Sequence, residues 1–228
     1  MAKHRLVSII IPTFNEAAEI VQTLKPMQSL RDSGHEVIVV DGGSTDQTCE
    51  IAAPLVDCIF KGTKGRAAQM HLGASQATHG IYWFVHADTG VQSDSIAEIQ
   101  AAIQSGKKWG RFDVRLNAQK PVFRVVEAMM NFRSCLTGIC TGDQGIFVER
   151  EIYQQIGGMP QQALMEDIEV SKRLLRQKKR PACIHRKIVT SARRWQQKGV
   201  IRTIVLMWWL RFAYFFGVSA NQINRWYR

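Results

Sequence analysis

At 228 residues, with 46% hydrophobic and 21% charged residues, the chain is long enough for one well-buried core, and its composition excludes a disordered polypeptide. The net charge of +11 calls for an anionic partner: nucleic acid, a phosphorylated substrate or lipid headgroups. That charge is uneven, since the last acidic residue is Glu169 and Lys172 to Arg228 holds half of all Lys and Arg. The five cysteines (49, 58, 135, 140 and 183) form no CxxC pair and no zinc array, so reduced thiols in the cytosol are expected. Met1 to Arg5 leads straight into a strand-like run, which is not a signal-peptide pattern.

Leu6 to Ile11 reads as a buried parallel strand ended by Pro12. Glu16 to Leu30 reads as a helix that Pro26 bends or shortens. Val37 to Val40 is a second strand, and Ser44 to Thr48 opens a helix that stops before Pro54. Cys58 to Phe60 is a short strand, Gly65 to Ala77 a small-residue helix, and Ile81 to Val85 a further strand. Ser93-Asp94 opens a helix through Ile103. This alternation predicts a doubly wound α/β sheet.

Beyond it, Gly110 to Leu116 alternates with period two, like a strand with one wet face. Pro121 to Phe132 resembles a helix, Gly145 to Val148 a strand, and Glu151 to Ile156 a short helix. Glu166 to Arg176 is the clearest late helix, and Ile184 to Val189 returns as a strand. The second half thus extends the sheet as a mixed one.

Val200 to Val218 is apolar enough to resemble a membrane span, but Arg202 and Arg211 interrupt it. An interfacial helix fits better, with its arginines, Trp and Tyr at headgroup level. Packing on the sheet or on a second copy of the chain, as a homo-oligomer, is the alternative. The boundary is set at residue 195, giving a domain over 1–195 and a basic, aromatic helical extension over 196–228.

Two carboxylates follow apolar runs directly: Asp41 ahead of Gly42-Gly43-Ser44, and Asp88 ahead of Thr89-Gly90. Ligands of open α/β sheets sit beyond the carboxyl ends of the strands, so acids there suggest a nucleotide and metal site. Helix capping is the plainer alternative. Pro12-Thr13-Phe14-Asn15-Glu16 would place Thr13 and Phe14 near the same crevice. No GxGxxG follows the early strands and no P-loop is present, which weakens dinucleotide-binding and ATPase classes.

Lys61-Gly62-Thr63-Lys64-Gly65-Arg66 brings cations and glycines to a helix mouth, where Lys64 and Arg66 could hold phosphate oxygens. Asp88 is the best metal ligand, with His86 as a second ligand or a hydrogen-bond partner. Glu166-Asp167 opens a helix, whose N-terminus favours an ionised carboxylate able to accept a proton.

Ile10-Ile11-Pro12-Thr13-Phe14-Asn15-Glu16, Val40-Asp41-Gly42-Gly43-Ser44-Thr45-Asp46, Asp88 and Glu166-Asp167 together make the chain resemble the family 2 glycosyltransferases over roughly residues 6 to 195. That resemblance implies a GT-A fold, a Rossmann-like doubly wound mixed sheet flanked by helices. It also implies an inverting transfer from a nucleotide-diphosphate sugar, a UDP-sugar foremost, to an acceptor hydroxyl. Pro12, Thr13, Glu16 and Asp41 would surround the nucleoside, and Asp88 would coordinate Mg²⁺ or Mn²⁺ at the diphosphate. Asp167 would be the general base beside Glu166, and Arg66 a basic residue near the nucleotide.

The chain departs from the family pattern in reading His86-Ala87-Asp88 where Asp-x-Asp is common, and Asp41-Gly42 where Asp-Asp-Gly is. It also offers Ser191-Ala192-Arg193-Arg194-Trp195 in place of the Gln-x-x-Arg-Trp of processive members, which argues against a polysaccharide synthase. Arg193, Arg194 and Trp195 would close over the diphosphate or acceptor. The signatures around His86-Ala87-Asp88-Thr89 and Gly142-Asp143-Gln144-Gly145 resemble a small bacterial subgroup. A peripheral enzyme on the inner face of the cell membrane, with a lipid or small-molecule acceptor and no nucleic acid, is the expectation. A nucleotidyltransferase and a non-catalytic basic binding module are the rivals.

Overall fold

The computed structural model describes residues 6–227; the expectation about Met1 to Arg5 lies outside them. Four strands, β1 (Val7–Thr13), β2 (Glu36–Asp41), β3 (Cys58–Lys61) and β4 (Ile81–Phe84), run parallel. The links between them carry α1 (Ile20–Leu24), α2 (Gln28–Asp32), α3 (Thr48–Ala52) and α4 (Arg66–Gln76). After them come β5 (Thr89–Gly90), α5 (Ser95–Gln104), β6 (Trp109–Leu116), α6 (Pro121–Thr137), β7 (Phe147–Glu149) and α7 (Arg150–Gln155). The chain then forms α8 (Glu166–Arg176), β8 (Ala182–Thr190), α9 (Arg193–Lys198), α10 (Val200–Phe215) and α11 (Ala220–Tyr227).

The strands form one eight-stranded sheet in the order β3-β2-β1-β4-β7-β6-β8-β5. β7 lies antiparallel between β4 and β6, while β6 and β8 pair in parallel. The sheet is therefore doubly wound in its first half and mixed in its second, as expected.

Residues of a strand alternate between faces, and a sheet covered on both needs apolar residues at every position. Ile9, Ile11, Val37, Val39 and Trp83 accordingly join one core layer, while Ile10, Ile38, Val40, Tyr82 and Phe84 join the other. On the second face α4 packs unusually close. A Cβ on Gly73 would stand 2.5 Å from Ile10 Cγ2, so only glycine fits there.

Pro12 does not end β1, because the strand pairs on through Thr13 with Asp41. Ile10 O accepts from Val85 N on the β4 side, and Thr13 O accepts from Gly42 N on the β2 side. Pro12 therefore turns its missing N–H toward β4, beyond the last β1–β4 pair at Ile10–Phe84, and breaks no ladder bond. Pro26 does divide the expected helix, into α1 and α2.

α3 starts later than its sequence suggests, with the Asp46 carboxylate accepting from Thr48 N at 3.1 Å. β6 has no wet face. Arg111 and Asp113 are buried and paired with each other, and Arg111 also donates to Asn131 O on α6. Buried ion pairs read as surface in a periodicity count, which is why the expectation failed. The cysteines likewise differ from expectation, since Cys135 on α6 and Cys183 on β8 are joined as a disulfide, with Cα atoms 5.8 Å apart. Cys49, Cys58 and Cys140 are free.

The C-terminal segment forms α10 over 16 residues and then turns back as α11, with Trp209 and Trp226 ring centroids 6.5 Å apart. Among the described residues, no helix is long and apolar enough to cross a membrane.

Candidate functional site

The carboxyl ends of β1 and β2 are locked to one another. Asn15, in a left-handed conformation that Asn tolerates (φ 54°), receives a bond from Thr45 N on Oδ1 and donates its own N–H to Ser44 Oγ. The Asp41 carboxylate is buried and turned into its own loop, accepting from Gly43 N (2.9 Å), Ser44 N (3.0 Å) and Ser44 Oγ (2.5 Å). Thr13 is buried beside it.

Gln69, absent from the sequence reading, ties these ends together. Its Nε2 donates to Thr13 O at 2.7 Å and to Val40 O at 2.8 Å, and the side chain is buried. A polar residue inside a small-residue helix carried no sign of that role.

The basic turn before α4 divides its cations. Lys64 Nζ lies 3.5 Å from the centroid of the Phe14 ring, at the rim of the crevice. Arg66 reaches inward to Glu166, with Nε 3.1 Å from Oε1. Glu166 is almost wholly buried, and its carboxylate is occupied in holding Arg66. Of the expected catalytic pair, then, Asp167 is the member presented to open space.

Left-handed backbone at Met165 (φ 66°) turns the chain into α8. Such a conformation is costly for a non-glycine residue and concentrates at functional sites. Asp167 Oδ2 accepts from Gly142 N at 2.9 Å, and Oδ1 from Ile168 N at 2.7 Å. Both bonds are to backbone, so the carboxylate is fixed in direction while its remaining lone pairs face the cavity.

Asp88 follows β4 and is half-buried; burial raises its carboxyl above the ordinary range, and Arg193 opposes that rise. Glu16 behaves the same way, raised by burial first, with Arg193 lowering it and Asp88 raising it further. These opposed influences place Glu16, Asp88 and Arg193 around one point. The His86 imidazole is pushed down to about 3, by burial first and Arg66 second, and so is neutral at physiological pH. Its Nε2 is buried without a hydrogen-bond partner.

Among the described residues no group of three or more His, Cys, Asp or Glu could cage a metal ion. Asp88 with the orphaned His86 nitrogen fits only a cation that draws its other ligands from phosphate and water, which is the habit of Mg²⁺ and related ions.

Asp88, Asp167, Arg66 and Arg194 line a single cavity of about 450 Å³. Trp195 joins them, as do Trp208 and Arg211 of α10 and Tyr227 of α11. Arg194 Nη2 donates to Tyr227 O at 2.9 Å, and its guanidinium lies 3.5 Å from the Tyr227 ring centroid. The boundary set at residue 195 falls inside α9, and the extension supplies part of the cavity wall. Pro12, Thr13, Asp41 and Lys64 do not line this cavity but border the crevice at the ends of β1 and β2.

Residues 8–147, more than half of the chain, match the sequence model described as glycosyl transferase family 2. The chain belongs to that family. A PGL/p-HBAD biosynthesis glycosyltransferase of Mycobacterium tuberculosis is 36% identical over 104 residues, covering 42% of this chain and 41% of that protein. A Mycobacterium bovis protein of the same description aligns equally well. Less than half of the relatives' length is thus spanned.

Among solved structures, S. aureus TarS superimposes with a TM-score of 0.65 at 16% identity, over 82% of this chain and 60% of that one. The mannosyltransferase PcManGT of Pyrobaculum calidifontis, in complex with GDP-Man and Mn²⁺, gives 0.63 at 21% identity, over 82% and 57%. Glucosyl-3-phosphoglycerate synthase of M. tuberculosis, in complex with Mn²⁺, UDP and phosphoglyceric acid, gives 0.61 at 17%, over 82% and 69%. The fold of this family 2 chain is accordingly GT-A.

Proposed function

We propose that the protein is an inverting, metal-dependent glycosyltransferase that moves a sugar from a nucleotide-diphosphate sugar to an acceptor hydroxyl at a membrane surface. The observation that carries this reading is the convergence of Asp88, Arg66, Arg194 and Asp167 on one cavity, although they come from distant parts of the chain. The nucleoside would lie at the ends of β1 and β2, against Pro12, Thr13 and the loop that Asp41 shapes. Glu16 and Lys64 would flank it. Arg66, Arg193 and Arg194 would face the diphosphate.

Asp88, with His86, would hold Mg²⁺ or Mn²⁺; when bound, the cation offsets the negative charge that grows on the departing diphosphate. The acceptor oxygen forms its bond to the anomeric carbon as the bond from that carbon to the diphosphate oxygen breaks. The bonding pair leaves with the nucleoside diphosphate, and the acceptor proton passes to Asp167. Glu166 positions Arg66. A UDP-sugar donor is favoured by the likeness to glucosyl-3-phosphoglycerate synthase bound to UDP and Mn²⁺.

Membrane contact is supported by two exposed apolar stripes. α6 presents Val125, Met129, Phe132 and Leu136, and α10 presents Ile201, Val205, Phe212 and Phe215. So much apolar surface on neighbouring helices marks an interaction face, and the positive charge around it suits anionic headgroups.

The test joins binding to turnover, with a panel of nucleotide sugars and lipid extract as acceptor source. Asp167→Asn is expected to reduce turnover by roughly 10²–10⁴-fold while leaving Mn²⁺-dependent UDP binding in place. Unchanged turnover would remove the base from Asp167. Wild-type protein that binds no UDP with Mn²⁺ would overturn the transferase reading itself.

A further inference from the structure

The part of the cavity beyond Asp167 has a character that the donor does not explain. Its walls are Val126, Met129 and Met130 of α6 facing Ile204, Met207 and Trp208 of α10. Within these apolar walls stand two guanidiniums, Arg133 from α6 and Arg211 from α10. Arg133 Nη1 donates to Ile139 O at 2.9 Å, but its Nε and Nη2 are buried with no partner. Among the described residues, no carboxylate forms a salt bridge with either arginine.

Arg133 is pushed down to about 10, by burial first and then by repulsion from Arg211. The nearby acid, Asp143, is half-buried with Oδ1 buried and unpartnered; burial raises its carboxyl, and with Asp167 it opposes the downward push on Arg133. The two buried donors of Arg133 without acceptors leave part of its desolvation cost standing, which an incoming anion would offset.

We infer that this region is the acceptor subsite and that the acceptor is an anionic amphiphile. Its apolar body lies between α6 and α10, its phosphate or carboxylate meets Arg133 and Arg211, and its hydroxyl reaches Asp167. The two exposed apolar stripes run along these same helices, so the apolar body has a continuous path from a lipid surface to the base. The inference rests on the transferase reading above, and it adds a chemical class to the acceptor.

Decyl phosphate serves as the probe in isothermal titration calorimetry of the full chain, kept below its micelle concentration. Decyl maltoside and inorganic phosphate are the comparisons, each carrying half of its chemistry. Decyl phosphate is expected to bind at least tenfold more tightly than either. The double variant Arg133→Gln/Arg211→Gln is expected to lose that advantage, and Arg133→Lys/Arg211→Lys to recover part of it. Thermal unfolding of each variant confirms that it folds.

Equal binding of decyl maltoside would show that the charge plays no part, and equal binding of inorganic phosphate would dismiss the apolar walls. Undiminished binding by the Gln double variant would remove the two arginines. Any of these outcomes overturns the inference. UDP binding with Mn²⁺ is measured on the same wild-type protein, and its absence would count against the donor reading instead.

Discussion

Gly142 stands where two parts of the site meet, and Gly142→Ala tests whether that closeness matters. Its N–H holds Asp167 Oδ2, while a Cβ on it would lie 2.7 Å from His86 Nε2 and 2.8 Å from Cε1. Ordinary contact begins near 3.4 Å, so the imidazole must retreat by roughly 0.7 Å. The ring breaks no hydrogen bond at Nε2 in moving, since that atom has none. The cost is therefore one of overpacking, about 1–3 kcal/mol. For a domain of this size each kcal/mol lowers Tm by about 2–4 °C, so calorimetry should register a fall of roughly 2–12 °C.

The displaced ring also disturbs the ground beside Asp88, and Mn²⁺-dependent UDP binding should weaken with it. His86→Ala in the same chain makes room for the new methyl group. The double variant should therefore be more stable than the sum of the two single changes predicts. Strict additivity, or an unchanged Tm for Gly142→Ala, would refute the steric reasoning.

Asp88→Asn should abolish the enhancement of UDP binding by Mn²⁺; titration calorimetry with and without the metal measures it, and a retained enhancement would shift the ligand role elsewhere. Gln69→Leu leaves Thr13 O and Val40 O without their shared donor, at about 1–3 kcal/mol. Its Tm should fall and UDP affinity with it, and an unaltered denaturant midpoint would deny Gln69 its structural part. Val125→Glu/Phe215→Glu acts on residues 59% and 75% exposed, so the fold should be undisturbed. If both side chains enter lipid, flotation with anionic vesicles should drop at least tenfold, since burying one such side chain contributes about 1.5–3 kcal/mol; equal flotation would exclude this face.

Much of the first half was legible because its signals are local. An apolar run ended by a carboxylate and a small-residue turn marks β2 with Asp41, and the same pattern marks β4 with Asp88. α8 was readable to its ends, since its apolar stripe, its acidic start and its basic finish all agree. What escaped depends on partners remote in sequence. Arg111, whose ion pair with Asp113 is local, is held inside by Asn131 of α6, 20 positions on, and Cys135 meets Cys183 across 48 positions. Glu166 and Asp167 are adjacent and chemically alike, yet Arg66 claims one of them and Gly142 directs the other. No pattern in the acids themselves foretells that division. Arg211 was visible only as an interruption of an apolar run, and its place opposite Arg133 follows from how α10 lies along α6.

The family match ends at residue 147, but the cavity does not. Asp167, Arg194, Trp208, Arg211 and Tyr227 all come from the remaining stretch of chain. The ends of β1, β2 and β4 belong to the matched portion, and the apolar wall proposed for the acceptor is shared between α6 and the C-terminal helices. The cavity is thus completed by a length of polypeptide that lies outside the matched portion. On the proposed assignments, exchanging only α10 and α11 would rebuild one wall of the acceptor pocket while the ends of β1 and β2 keep their shape.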